Sequence, residues 1–109
     1  MGQAVMTLGE TDNARTVEVH LGDEVVLRLY ENASTGYSWS FDDLDGKILT
    51  ARDDGYGRQP EAVGGGGMRQ WTLQTKAAGT TQIKLKLWRR WEGDASIQKR
   101  YSVTLVIGP

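Results

Sequence analysis

The stretch Tyr101-Ser102-Val103-Thr104-Leu105-Val106-Ile107 decides the fold. Tyr101, Val103, Leu105 and Ile107 alternate with Ser102 and Thr104, so an extended chain here has one apolar face and one that can meet water. The same period of two recurs upstream. Ile83, Leu85 and Leu87 alternate with Lys84 and Lys86, and Trp71, Leu73 and Thr75 with Thr72 and Gln74. Tyr37, Trp39 and Phe41 alternate with Ser38 and Ser40; Val25, Leu27 and Leu29 share a face opposite Arg28; Val17, Val19 and Leu21 alternate with Glu18 and His20. Each run reads as a half-buried strand. Met6–Leu8 and Lys47–Arg52 read as shorter candidate edge strands, and nowhere do apolar residues hold a helical period for two or three turns.

Turn signals separate the runs: Gly22-Asp23, Asp42-Asp43, Asp45-Gly46, Asp53-Asp54-Gly55, Ala78-Gly79 and Gly93-Asp94. About seven short strands with frequent turns predict an all-β chain, an antiparallel immunoglobulin-like β-sandwich forming a single domain over residues 1–109. A small barrel is the competing architecture. Cysteine is absent, so the sandwich has no disulfide and is held by packing alone.

The same absence removes Cys-ligated zinc, iron–sulfur clusters and a thiol nucleophile, and leaves the compartment open. With 39% hydrophobic and 25% charged residues the composition is that of a globular chain. A net charge of −1 gives no general attraction to nucleic acid or an anionic membrane. No apolar run approaches the ~20 residues that span a bilayer. The start, Met1 to Met6, lacks the basic and apolar segments of a signal peptide. His20 is the sole histidine, set in a strand pattern, and no nucleophile-elbow sequence accompanies Ser34, so an enzyme is not expected. Asp42, Asp43, Asp45, Asp53 and Asp54 lack EF-hand spacing and stand where turns expect Asp, so no metal or cofactor is expected.

Three stretches break the strand pattern. Asn32-Ala33-Ser34-Thr35-Gly36-Tyr37 joins two strands and holds adjacent hydroxyls between a turn-forming Asn and a Gly; alone it also reads as an ordinary turn. The region from Asp53 to Gly67 ends in Gly64-Gly65-Gly66-Gly67, either a flexible hairpin tip or a backbone laid bare for another surface. It lacks the Gly-Lys-Ser/Thr and following helix of a phosphate loop. Trp88-Arg89-Arg90-Trp91 has the composition of a binding hot spot, although tryptophans capping the core's end beside solvated arginines would look the same. Aromatics beside basic residues also occur in single-stranded nucleic-acid sites, but no wider basic patch accompanies them. In a sandwich, alternate connections fall at one end, so the B–C, D–E and F–G loops carrying these stretches are expected to meet at one pole.

This set resembles the chagasin family, inhibitors of papain-like cysteine peptidases. The family pattern is Asn-Pro-Thr-Thr-Gly-Tyr/Phe, a Gly-x-Gly-Gly-type segment and Arg-Pro-Trp/Phe, in that order on the same three loops. Here these become Asn32 to Tyr37, Gly64 to Gly67, and Arg89-Arg90-Trp91. Ala33 and Arg90 replace the family prolines, which loosens both loops, and Ser34 replaces a threonine while keeping the hydroxyl. The resemblance implies a reversible inhibitor, monomeric, whose partner is a papain-like cysteine peptidase of cathepsin L type or similar. Ser34 and Thr35 would enter the cleft, Gly65 to Gly67 would lie along the enzyme through main-chain amides, and Trp91 would anchor, with Arg89 either orienting it or pairing with carboxylates on the enzyme. Tyr37 and Trp39 would support the loop from the core. The competing reading is a carbohydrate-binding or adhesive module on the same scaffold, with Trp88 and Trp91 as a stacking platform.

Overall fold

A computed structural model describes residues 4–58 and 66–109. They form eight strands: β1 (Val5–Leu8), β2 (Thr16–His20), β3 (Glu24–Asn32), β4 (Ser38–Asp43), β5 (Leu49–Arg58), β6 (Gly66–Thr75), β7 (Gly79–Trp88) and β8 (Lys99–Gly108). The strands lie in two four-stranded sheets, ordered β1-β3-β6-β5 and β2-β8-β7-β4. Most pairs are antiparallel. The exceptions are the short strands β1 and β2, which run parallel to β3 and β8 at the edges of their sheets.

The alternation explains the layers. Val25, Leu27, Leu29 and Leu73 of one sheet meet Ile83, Leu85, Val103 and Leu105 of the other in a closed core. Phe41 meets Trp71 across the sheets edge to face at 5.6 Å, a favoured aromatic geometry. Tyr101 sends its hydroxyl to the Gly9 carbonyl at 2.8 Å, and burial raises its phenol above the usual titration range. Leu21 departs from the expected pattern. β2 ends at His20, the Leu21 amide turns to the Gly108 carbonyl at 2.7 Å, and its side chain is exposed.

Two expected turns are strand instead. Asp42 and Asp43 close β4. Asp53-Asp54-Gly55 lies inside β5, where the register against β6 slips between Asp53 and Gly55. The feature is a bulge: Gly55 has φ +94, and the Asp53 carboxylate accepts the Gly55 amide at 2.8 Å. Asp54 is held by Thr72, Arg52 and Gln70, which lower its pKa to about 2. Turn-type residues therefore serve a kinked strand. The Asp-Gly composition suits both uses equally.

The registers place the functional end. In the first sheet Asn32 pairs with Gly66, and Arg58 with Gly67. In the second Ser38 pairs with Trp88, and Leu87 with Lys99. The β3–β4, β5–β6 and β7–β8 connections, the B–C, D–E and F–G loops above, therefore leave the sandwich at one pole.

Candidate functional site

The β3–β4 connection is a short 3-10 turn over Ala33–Thr35. Its shape comes from side chains at both ends. The Asn32 carboxamide oxygen accepts the Ser34 amide at 3.1 Å and the Ser34 hydroxyl at 2.7 Å. The Thr35 hydroxyl donates to the Asn32 carbonyl at 2.8 Å and accepts the Tyr37 amide at 3.3 Å. These short-range bonds are the alternative to a sheet ladder that Asn, Ser and Thr offer. Gly36 then reverses the chain at φ +82, in the left-handed region where a Cβ is disfavoured.

The β7–β8 connection packs against this turn. Arg90–Glu92 forms a second 3-10 turn, anchored where the Arg89 amide donates to the Ser96 hydroxyl at 2.9 Å. Arg89 reaches the Thr35 carbonyl through Nη2 and Nε at 3.1 and 3.3 Å, and its guanidinium lies 4.5 Å from the Tyr37 ring centre. The Trp91 indole stands over Gly36: a Cβ added there would lie 2.9 Å from its Cη2 atom. Yet Trp91 is 72% exposed, a large apolar surface on offer to a partner. Arg90 beside it is exposed.

The four glycines divide. Gly64 and Gly65 lie outside the described residues. Gly66 and Gly67 are buried in β6 rather than in a loop, paired with Asn32 and Glu31 of β3. A Cβ at Gly66 would fall on the Tyr30 phenol, 2.7 Å from its Cζ, so that exposed ring would have to swing aside.

Trp39 is buried and donates its indole N–H to the Tyr30 carbonyl at 2.9 Å, supporting the loop from below. Trp88 and Trp91 face different surfaces. Trp88 follows core-facing Leu87 in β7, so it points outward on the sheet's flank, where it bonds the Ser40 hydroxyl at 3.1 Å and has Lys86 Nζ 3.8 Å over its ring. Of the acidic residues, Asp42 pairs with Lys86 and Arg100, while Asp53 is held below the usual range by Arg69. Among the described residues no group of three metal-ligating side chains forms. His20 projects into solvent from the β2 edge. The reading of the sequence missed Glu31, buried at the base of the loop. Its position in the period-two pattern, inward after Val25, Leu27 and Leu29, was the available signal.

Comparisons with known proteins fit this geometry. A family model described as Chagasin family peptidase inhibitor I42 matches residues 18–105. Chagasin of Trypanosoma cruzi is 28% identical over 98 residues, covering 85% of this chain and 89% of that one. The crystal structure of the cysteine protease inhibitor EhICP2 from Entamoeba histolytica superposes with a TM-score of 0.85 at 27% identity, over 96% of each chain. PbICP-C, solved in complex with falcipain-2, shares the fold at a TM-score of 0.56 and 12% identity, over 97% of this chain and 90% of that one. An all-β sandwich carrying the loop motifs in order, matched by the family model over most of its length, belongs to the chagasin family of peptidase inhibitors and is not an enzyme.

Proposed function

We propose that this protein is a reversible inhibitor of papain-like cysteine peptidases, cathepsin L-type enzymes among them. Residues 1–109 act as one monomeric inhibitor domain, and the pole of the sandwich occludes the active-site cleft. The observation that carries the reading is the joint between Thr35-Gly36 and Trp91, where a narrow hydroxyl-bearing turn is braced by an exposed indole. The target class follows from the resemblance and from the relative EhICP2, named as a cysteine protease inhibitor.

In this reading Ser34 and Thr35 enter the cleft between the catalytic cysteine and histidine. A peptidase takes its substrate as an extended strand. The 3-10 turn, closed by Asn32 and Thr35, offers no extended peptide bond for attack. Trp91 is the aromatic anchor on one side. Arg89 is engaged within the pole, by the Thr35 carbonyl, the Tyr37 ring and the Glu92 carboxylate, so it orients the loop rather than pairing with the enzyme. Gly64 and Gly65 keep the role the family resemblance implies, main-chain contact on the other side, with Gly66 and Gly67 supporting that hairpin from within the sheet.

Alkylation of the peptidase tests the occlusion. Papain preincubated with an equimolar amount of the protein should have its catalytic cysteine protected from iodoacetamide, and protection should lapse on dilution. Alkylation at the free-enzyme rate within a demonstrable complex would place binding outside the cleft.

A further inference from the structure

Outside the three motifs, at the root of the β3–β4 connection, sits a buried carboxylate. Glu31 is 5% exposed and takes an inward position of β3 that an apolar residue would fill more cheaply. Its Oε1 accepts the Trp39 amide of β4 at 2.8 Å. That amide has no sheet partner, because β4 is an edge strand paired on one side only. Glu31 Oε2 lies 3.6 Å from Arg69 Nη1 of β6, and Arg69 Nη2 reaches Asp53 of β5 at 2.5 Å. The Glu31 carbonyl in turn accepts the Tyr56 hydroxyl of β5 at 3.1 Å.

One side chain thus ties its own strand to β4 directly and to β6 and β5 through Arg69. These four strands feed the β3–β4 and β5–β6 connections. Asn32 and Trp39 bracket the loop, and the Glu31–Trp39 bond fixes the distance its ends must span. A loop ordered before contact forfeits less freedom on binding.

We propose that Glu31 is a positioning residue for inhibition, holding Ser34-Thr35-Gly36 in one geometry before a peptidase is met. The inference rests on the proposed role of that loop, and its test separates the two. Wild type is compared with Glu31→Gln, which keeps an acceptor for the Trp39 amide but not the ion pair, and with Glu31→Ala, which keeps neither. Val19→Ala serves as a control. Val19 pairs with Ile107 at the far end of β8, so this variant opens a cavity in the core away from the pole.

Two readouts are taken on folded protein: amide exchange of residues 34–39 in the free state, and the inhibition constant against papain. Glu31→Ala should raise loop exchange and weaken inhibition about tenfold or more, as expected for losing a hydrogen bond to a charged group. Glu31→Gln should recover most of both, and Val19→Ala should melt earlier with wild-type loop exchange and inhibition. Should Glu31→Ala not fold, Glu31→Met takes its place at similar volume. Wild-type loop exchange and inhibition in Glu31→Ala, or equal weakening by Val19→Ala, would overturn the inference while the inhibitor reading stood. A wild type that leaves papain untouched would instead sink the inhibitor reading, and the exchange data alone would then decide whether Glu31 orders the loop.

Discussion

The Arg89 guanidinium grips the Thr35 carbonyl, donating from Nη2 at 3.1 Å and from Nε at 3.3 Å while lying 4.5 Å from the Tyr37 ring centre. One connection of the pole therefore holds another. The planar, always-charged guanidinium suits this place because its rigid fork can lay a flat face on the Tyr37 ring while two of its N–H groups meet one carbonyl, a geometry the compact ammonium lacks. Arg89→Lys should melt close to wild type but inhibit papain about tenfold less well, equivalent to about 1.4 kcal/mol. Unchanged inhibition would show that the grip is incidental.

Gly36 and Trp91 make a paired test. At φ +82 a Gly36→Ala chain carries left-handed strain of about 1–2 kcal/mol, and the new methyl displaces the indole 2.9 Å away. Both melting temperature and inhibition should fall. Trp91→Ala removes a side chain that is 72% exposed, so the melt should hold while inhibition weakens by about 2 kcal/mol, roughly thirtyfold. Thermal melts beside inhibition constants separate the two variants.

The β5 bulge predicts the response to acid. Thr72, Arg52 and Gln70 hold Asp54 at about 2, whereas the unfolded chain takes up that proton near ~3.9. Between these values the unfolded state binds more protons, so the Asp54 contribution to stability is present above pH ~4 and is lost as pH falls through about 2. Asp53, lowered chiefly by its bond to Arg69, acts in the same direction. Urea denaturation at a series of acid pH values should show stability falling across this window. In Asp54→Asn the fall should be shallower, and an identical slope would remove Asp54 from the account.

The strands were legible because their inward positions are uniformly apolar, as in Ile83-Leu85-Leu87 and Val103-Leu105-Ile107. The pattern failed where one residue type serves two purposes. Leu21 continues an apolar alternation but follows the last residue of β2, and Asp53-Asp54-Gly55 carries turn chemistry inside a bulged strand. The loop motifs identified Thr35, Gly36 and Trp91 as a set. They did not reveal that Arg89 is engaged within the pole, since a guanidinium's partner depends on contacts between residues 54 positions apart. Glu31 escaped notice because a charged residue at an inward position looks like a strand end. Only the fold supplies its partners, Trp39 and Arg69.

Ala14 offers a stability prediction away from the motifs. It is the only non-glycine among the described residues with positive φ, at 69°, where the chain turns into β2. Glycine relieves about 1–2 kcal/mol of strain there, less about 0.5–1 kcal/mol for its freer unfolded chain. Ala14→Gly should gain about 0.5–1 kcal/mol in chemical denaturation. A lower denaturation midpoint would mean that the turn is not strained.

Titration of papain with the purified protein, followed by cleavage of a fluorogenic peptide, tests the central claim most directly. Cleft occlusion predicts stoichiometric, reversible loss of activity that competes with substrate and weakens in Thr35→Ala and Trp91→Ala. Full papain activity at micromolar protein, or inhibition indifferent to both substitutions, would contradict it.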